Sequence, residues 1–285
     1  MAGRADRGTV PEVVALHSPA RMAFYDLMFT RFFARHMRAL RVPAWGMPPA
    51  ALAEPASGQA LIVLANHPSW WDGVAFMLLS RRLFPGRRMI IPMEAAALAR
   101  YPFMRRLGVF GVETGHARGA AAFLRTAQGV LADPVNMLWM NAPGRFADAR
   151  ERPLPLAPGV ARLPELAPGA GVLSMALEYP CWSGRAPEAL AAFGPPLQAS
   201  ELAALPREDR QQRLGAAIEA AMDRLAAEAL TRDAARFRVV VQGQEGMGGV
   251  WHGWRRLRAA LRGERFDPRH IPAPPAGRQN QGAGG

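Results

Sequence analysis

Several residue types are scarce or missing in this 285-residue sequence, and each absence narrows what the chain can be. Cys181 is the single cysteine, so no internal disulfide can form and no cysteine cluster is available for zinc or an iron–sulfur centre. Lysine does not occur at all: each of the 35 cationic residues is an arginine. Together with the alanine and proline load, this reads as biased composition rather than selection for guanidinium chemistry, so one arginine by itself says little. Long apolar runs are missing too. The longest, such as Ala60–Ala65 and Gly73–Leu79, fall far short of the roughly 20 residues a membrane-spanning helix needs. The first residues are charged early and lack the apolar core of a secretory signal, so a cytosolic chain is expected.

What is present describes a globular protein. Half the residues are apolar while aromatic and charged shares are ordinary, which excludes a fully disordered chain and a fibre. The length allows one large domain with additions or two small ones. Charge is placed unevenly. Residues 1–41 carry seven arginines against Asp6, Glu12 and Asp26, and residues 246–285 carry seven against Glu264 and Asp267, so most of the formal +12 sits at the two ends. Both ends suit an anionic partner, and the near-neutral middle argues against a basic cleft for nucleic acid.

Residues 1–19 read as mobile. From Pro19 or Ala20 to Arg41 a helical period appears: Met22, Tyr25, Phe29, Phe32, Phe33, Met37 and Leu40 share one arc, and Arg31, Arg35, Arg38 and Arg41 the opposite one. Such a helix suits a membrane interface, with Phe29 and Phe32 among acyl chains and Arg31 and Arg35 at lipid phosphates; the same arc would equally pack the helix on its own domain. Residues 42–58 read as a connector. Strands are expected at 60–65, 89–92, 109–113, 135–140, 171–179 and 237–242, and helices at 70–82, 94–107 with a break at Tyr101-Pro102, 117–131 and 206–229. Residues 141–158 are rich in turn formers. This alternation predicts an α/β fold, one domain with a mixed, mostly parallel sheet covered by helices. A second basic amphipathic helix is expected at 250–262, where Trp251 and Trp254 stand beside Arg255, Arg256 and Arg258. Residues 271–285 are a low-complexity tail.

The most pointed segment is Asn66-His67-Pro68-Ser69-Trp70-Trp71-Asp72, between an apolar strand and a helix. On one continuous helix His67 and Asp72 would stand about 140° apart and could not meet. With His67 in the loop and Asp72 in the first helical turn, the carboxylate reaches the ring, sets its tautomer and frees the other nitrogen as a general base. Ser69 is placed to cap the helix. An ordinary strand-end histidine and a favourable first-turn acid would use the same spacing. Other motifs carry less. Gly243–Gly249 fits neither a dinucleotide nor a phosphate loop, no Gly-x-Ser-x-Gly elbow is present, and His116 and His252 lack metal-ligand spacing.

The Asn-His-x-x-x-x-Asp segment resembles the first block of the glycerolipid acyltransferases, a family that includes the lysophosphatidic acid acyltransferases. Leu98, Pro102 and Arg105-Arg106-Leu107-Gly108 resemble its second block, Leu138–Arg145 stands in the place of the third, and Leu177-Glu178-Tyr179-Pro180 in that of the fourth. The likeness covers residues 55–185. It implies a glycerol-3-phosphate acyltransferase-like fold and acyl transfer from acyl-CoA or acyl-acyl-carrier protein to a lipid hydroxyl, first of all that of 1-acyl-sn-glycerol-3-phosphate, as in phospholipid biosynthesis. His67 and Asp72 would be catalytic, Asn66, Gly144 and Arg145 would serve the oxyanion or the acceptor, and no metal or redox cofactor is required.

Departures from the pattern bear on the acceptor. Where the family commonly has Phe-Pro-Glu-Gly-Thr-Arg, this chain has Asn141-Ala142-Pro143-Gly144-Arg145-Phe146, with only the glycine in register. Ala96 and Thr114 stand where a lysine and an arginine are usual, although Arg145, Arg150 and Arg152 offer a different anion site. A glycolipid or other non-phosphate lipid alcohol is the alternative acceptor, and a non-catalytic membrane-binding protein on the same scaffold the alternative class. The expected organisation is a mobile N-terminus and basic helix at 1–45, a catalytic domain at 46–245, a tryptophan-containing basic helix at 246–270 and a disordered tail at 271–285. The expected setting is peripheral, on the anionic cytoplasmic face of the cell membrane, without nucleic acid.

Overall fold

The computed structural model describes residues 11–244 together with Arg258, Leu261 and Arg262. In chain order the elements are α1 (Glu12–Leu16), α2 (Pro19–His36), β1 (Ala39–Pro43), α3 (Ala50–Ala53), β2 (Leu61–Ala65), α4 (Asp72–Leu83), β3 (Arg88–Glu94), α5 (Ala95–Arg100), β4 (Val109–Val112), α6 (Ala117–Leu131) and β5 (Asn136–Asn141). Then follow α7 (Leu163–Leu166), β6 (Gly171–Glu178), β7 (Ala189–Phe193), β8 (Leu197–Gln198), α8 (Ala199–Ala203), α9 (Arg207–Leu230) and β9 (Phe237–Gln242). The strands form one nine-stranded sheet in the order β4-β3-β5-β2-β6-β7-β1-β9, with β8 beside β6. The pairs β4/β3, β3/β5, β5/β2, β2/β6 and β7/β1 are parallel, and β6/β7, β1/β9 and β6/β8 antiparallel. The fold is mixed α/β with a mostly parallel sheet, as the strand and helix periods indicate. No described helix is long and apolar enough to cross a membrane.

β2 lies at the centre because its sequence, Leu-Ile-Val-Leu-Ala, is apolar on both faces and every residue of it is buried. Ile62 and Leu64 join one core with Leu138, Val172, Phe123 of α6 and Ile218 of α9. Leu61, Val63 and Ala65 join the other with Trp139, Phe76 of α4 and Phe33 of α2. Trp139, fully buried, meets Phe76, Phe84 and Phe193 edge-on or tilted. The chain leaves β2 toward β3 on one side, and the later strand β6 lies on the other. The carboxyl end of β2 therefore opens at the point where strand order reverses, where parallel sheets leave a crevice.

Several expectations need correction. The first long helix stops at His36, not Arg41: Met37 turns extended, and Ala39-Leu-Arg-Val-Pro becomes β1, buried along its whole length. Arg41 is tolerated there because Glu188 accepts from its Nε at 2.9 Å. The boundary drawn after residue 45 thus falls within one unit, since β1 is a strand of the sheet and α2 covers its face. Of the residues expected to be mobile, Val13 is buried and the Ser18 N–H donates to the Arg106 carbonyl. The expected connector at 42–58 contains the end of β1 and the helix α3. β7 and β8 had no counterpart in the sequence reading. The segments 246–270 and 271–285 lie outside the described residues apart from Arg258, Leu261 and Arg262, which are exposed.

Candidate functional site

The segment after β2 is pinned before it carries any chemistry. The Asn66 amide donates to the Leu177 carbonyl at 2.9 Å and accepts the Leu177 N–H at 2.7 Å, so one buried side chain extends the pairing of β2 with β6. On the other side the Ala142 N–H donates to Ala65 O and the Ala147 N–H to His67 O. The loop then turns through Pro68 and Ser69, and α4 begins at Asp72. Ser69 does not cap α4 in the expected way. Its hydroxyl accepts from Trp71 N–H and its own N–H donates to Asp72 Oδ2.

His67 and Asp72 meet as their spacing suggests. Nδ1 lies 2.6 Å from Oδ2, with the carboxylate fully buried and the imidazole about one-fifth exposed. Asp72 Oδ1 accepts from the Tyr179 hydroxyl at 2.8 Å. Burial pushes the Asp72 carboxyl up from its ordinary value, while the bonds from His67, Tyr179 and Ser69 pull it down. The Ser69 N–H and the Tyr179 hydroxyl each donate to one of its two oxygens, the pattern of an ionised carboxylate. Nδ1–H is then the donor, and Nε2, with no hydrogen bond to another described residue, presents its lone pair. Phe146 stacks on the imidazole at 4.2 Å between centroids and is itself largely exposed. Trp70 is also largely exposed, while Trp71 turns inward onto Phe32 and Phe33.

Other predicted site residues have different surroundings. Asn66 commits its carbonyl oxygen and one amide hydrogen to Leu177 and is buried, so the contacts it makes are structural. Gly144 adopts a left-handed φ of 68° in a turn, and its N–H donates to Asn141 O. Arg145 is ion-paired with Glu151, Arg150 with Asp148 and Arg152 with Asp223. The three arginines therefore do not assemble into a shared anion site; each is matched to a carboxylate of its own. In the second block Leu98 and Leu107 are buried. Gly108 closes its turn at φ 87°, where a Cβ would come within 2.3 Å of Met89 O.

The amphipathic helix is turned differently from the expected interface pose. Met22 and Phe33 are buried, Phe29 packs against the core, and Phe32 stacks on Trp71 at 5.1 Å. The aromatic arc thus faces the domain, because covering one face of the sheet removes it from water. Outside stand Phe24, Leu27 and Met28, in line with the exposed Arg31 and Arg35. Trp251, Trp254 and Arg255 lie outside the described residues.

Sequence reading passed over Tyr179, Phe146 and Trp70. Tyr179 had a signal in its place before Pro180 at a strand end, but nothing local links it to Asp72. Among the described residues no three His, Cys, Asp or Glu side chains are grouped as a metal site requires. In comparison with known proteins, no family model and no curated sequence matches this chain.

Proposed function

We propose that this chain is an O-acyltransferase that moves a fatty acyl group from acyl-CoA or acyl-acyl-carrier protein to a lipid hydroxyl at a membrane surface. The observation that carries the reading is the His67–Asp72 pair at 2.6 Å on the carboxyl edge of a parallel sheet, with Nε2 making no hydrogen bond to another described residue. His67 takes the acceptor's hydroxyl proton at Nε2 as the oxygen attacks the thioester carbonyl. The tetrahedral intermediate collapses, the C–S bond breaks, and the departing thiolate recovers the proton from the imidazolium; ester and thiol are the products. Asp72 keeps the ring oriented and offsets its transient charge.

The outer face of α2 supports a peripheral membrane location on the cytoplasmic side. Phe24, Leu27 and Met28 are exposed beside Arg31 and Arg35, a combination suited to an anionic lipid surface. The acceptor implied by the resemblance is 1-acyl-sn-glycerol-3-phosphate. A second acceptor, a lipid alcohol without phosphate, is favoured by Phe146 against His67 and by the carboxylate partners of Arg145, Arg150 and Arg152.

The test incubates the full chain with labelled acyl-CoA or labelled acyl-acyl-carrier protein and anionic vesicles holding lysophospholipid and glycolipid acceptors. A labelled lipid that disappears with His67→Ala supports the reading, and its headgroup decides between the two acceptors. Equal turnover by His67→Ala refutes the mechanism. Vesicle binding without product from either donor favours a non-catalytic membrane protein.

A further inference from the structure

We propose that Tyr179 is a positioning residue of the dyad, holding Asp72 ionised with Oδ2 aimed at His67; the proposal rests on the acyltransferase reading above. Asp72 has no exposed surface, so water cannot solvate the oxygen that His67 leaves unused. Tyr179 fills that role with one hydroxyl at 2.8 Å. Without it, Oδ1 would be a buried, unpartnered carboxylate oxygen, and once Nε2 has taken a proton the imidazolium would pass its Nδ1 proton to Asp72, so the pair would hold that added proton more tightly. A neutral acid at Asp72 compensates no imidazolium.

The geometry is built from outside the dyad's own loop. Asn66 fixes Leu177 through both its backbone groups, and the Glu188 N–H donates to Pro180 O at 2.9 Å, so Tyr179 is held on either side. The groups acting on Asp72 are His67 and Ser69 from its own loop and Tyr179 from the end of β6. The phenol itself is pushed well above its ordinary value by burial and by the Asp72 charge. It therefore remains a donor throughout the range in which histidine titrates.

The experiment compares the full chain with Tyr179→Phe on anionic vesicles, measuring kcat and KM across that pH range. The expected result is a roughly tenfold lower kcat, an unchanged KM and an acid limb moved to higher pH. A residue that merely packs would lower the folded fraction and leave the limb in place. Histidine side-chain NMR on the same pair needs no turnover and reads the His67 Nδ1 proton and titration directly. A moved titration in Tyr179→Phe with no turnover by the parent supports the positioning role and refutes acyl transfer alone. If Tyr179→Phe does not fold, 3-fluorotyrosine at position 179 preserves the shape with a stronger donor and shifts the His67 titration to lower pH. An unmoved His67 titration in the folded variant overturns the proposal.

Discussion

Replacing Asn66 with alanine separates two roles that sequence and structure assign to it. In the structure the amide makes two bonds to Leu177, at 2.9 and 2.7 Å, and the residue is 1% exposed. Asn66→Ala leaves the Leu177 N–H and C=O buried without partners. Each orphan costs about 1–3 kcal/mol, so the pair should cost about 2–6 kcal/mol, with water entry into the vacated space favouring the lower end. Against a total of about 5–15 kcal/mol this is a large loss. Urea unfolding followed by tryptophan fluorescence reads it as a lower midpoint at unchanged slope. Asn66→Asp sharpens the test, because it keeps the acceptor for Leu177 N–H but opposes a carboxylate to Leu177 O. Its folded pKa is raised, so its stability is greatest below the unfolded value of about 3.9 and is lost as pH rises through the folded value. A loss under about 1 kcal/mol in Asn66→Ala, accompanied by a kcat drop of about a hundredfold, would refute the clamp and return Asn66 to the oxyanion.

Two further outcomes are expected. His17 is lowered from 6.5 to about 4 by burial and by Arg88 and Arg81. The unfolded chain binds its proton first, so stability falls as pH drops from about 6.5 toward 4, by about 1–2 kcal/mol once partial exposure is allowed for. Asp72 and Glu178, both pushed up by burial, act in the opposite sense, so the pH-dependent difference between the parent and His17→Gln isolates His17. If both proteins have parallel pH–stability curves, His17 is not the responsible group. On the outer face of α2, replacing Phe24, Leu27 or Met28 with serine should weaken binding to anionic vesicles about tenfold each while leaving unfolding unchanged. Phe29→Ser should instead cost about 1–3 kcal/mol of stability, since Phe29 packs against the core. Undiminished vesicle binding by the Phe24, Leu27 and Met28 variants would remove α2 from the membrane surface.

Much of the architecture was legible because burial imposes a local period. Ala117–Leu131 and Phe237–Gln242 have the bounds their patterns suggest, and the five-residue spacing of His67 and Asp72 requires a loop between strand and helix. β1 and β7 were hidden for a physical reason. Ala-Leu-Arg-Val-Pro and Ala-Leu-Ala-Ala-Phe are buried along their full length, so neither shows the alternation of a half-exposed strand, and alanine favours helix locally. Their parallel pairing, not their propensity, makes them strands.

The arginines mark the same division. Sequence gives all of them equal weight, yet Arg87 is buried on the carbonyls of Leu52, Glu54, Gln59 and Pro134, and Arg210 on those of Ala161, Leu202 and Leu205. Arg150 stands in solvent with Asp148. The sequence alone determined an α/β chain, the position of its central strand and a histidine–aspartate pair at that strand's end, because apolar periodicity and short-range reach are properties of neighbouring residues. Only the tertiary structure decided which face of α2 meets water, that Phe146 lies on the imidazole, and that Tyr179 completes the partners of Asp72 from 107 residues away. Those outcomes follow from strand order and from the need to pair every buried polar group, and partners distant along the chain satisfy both.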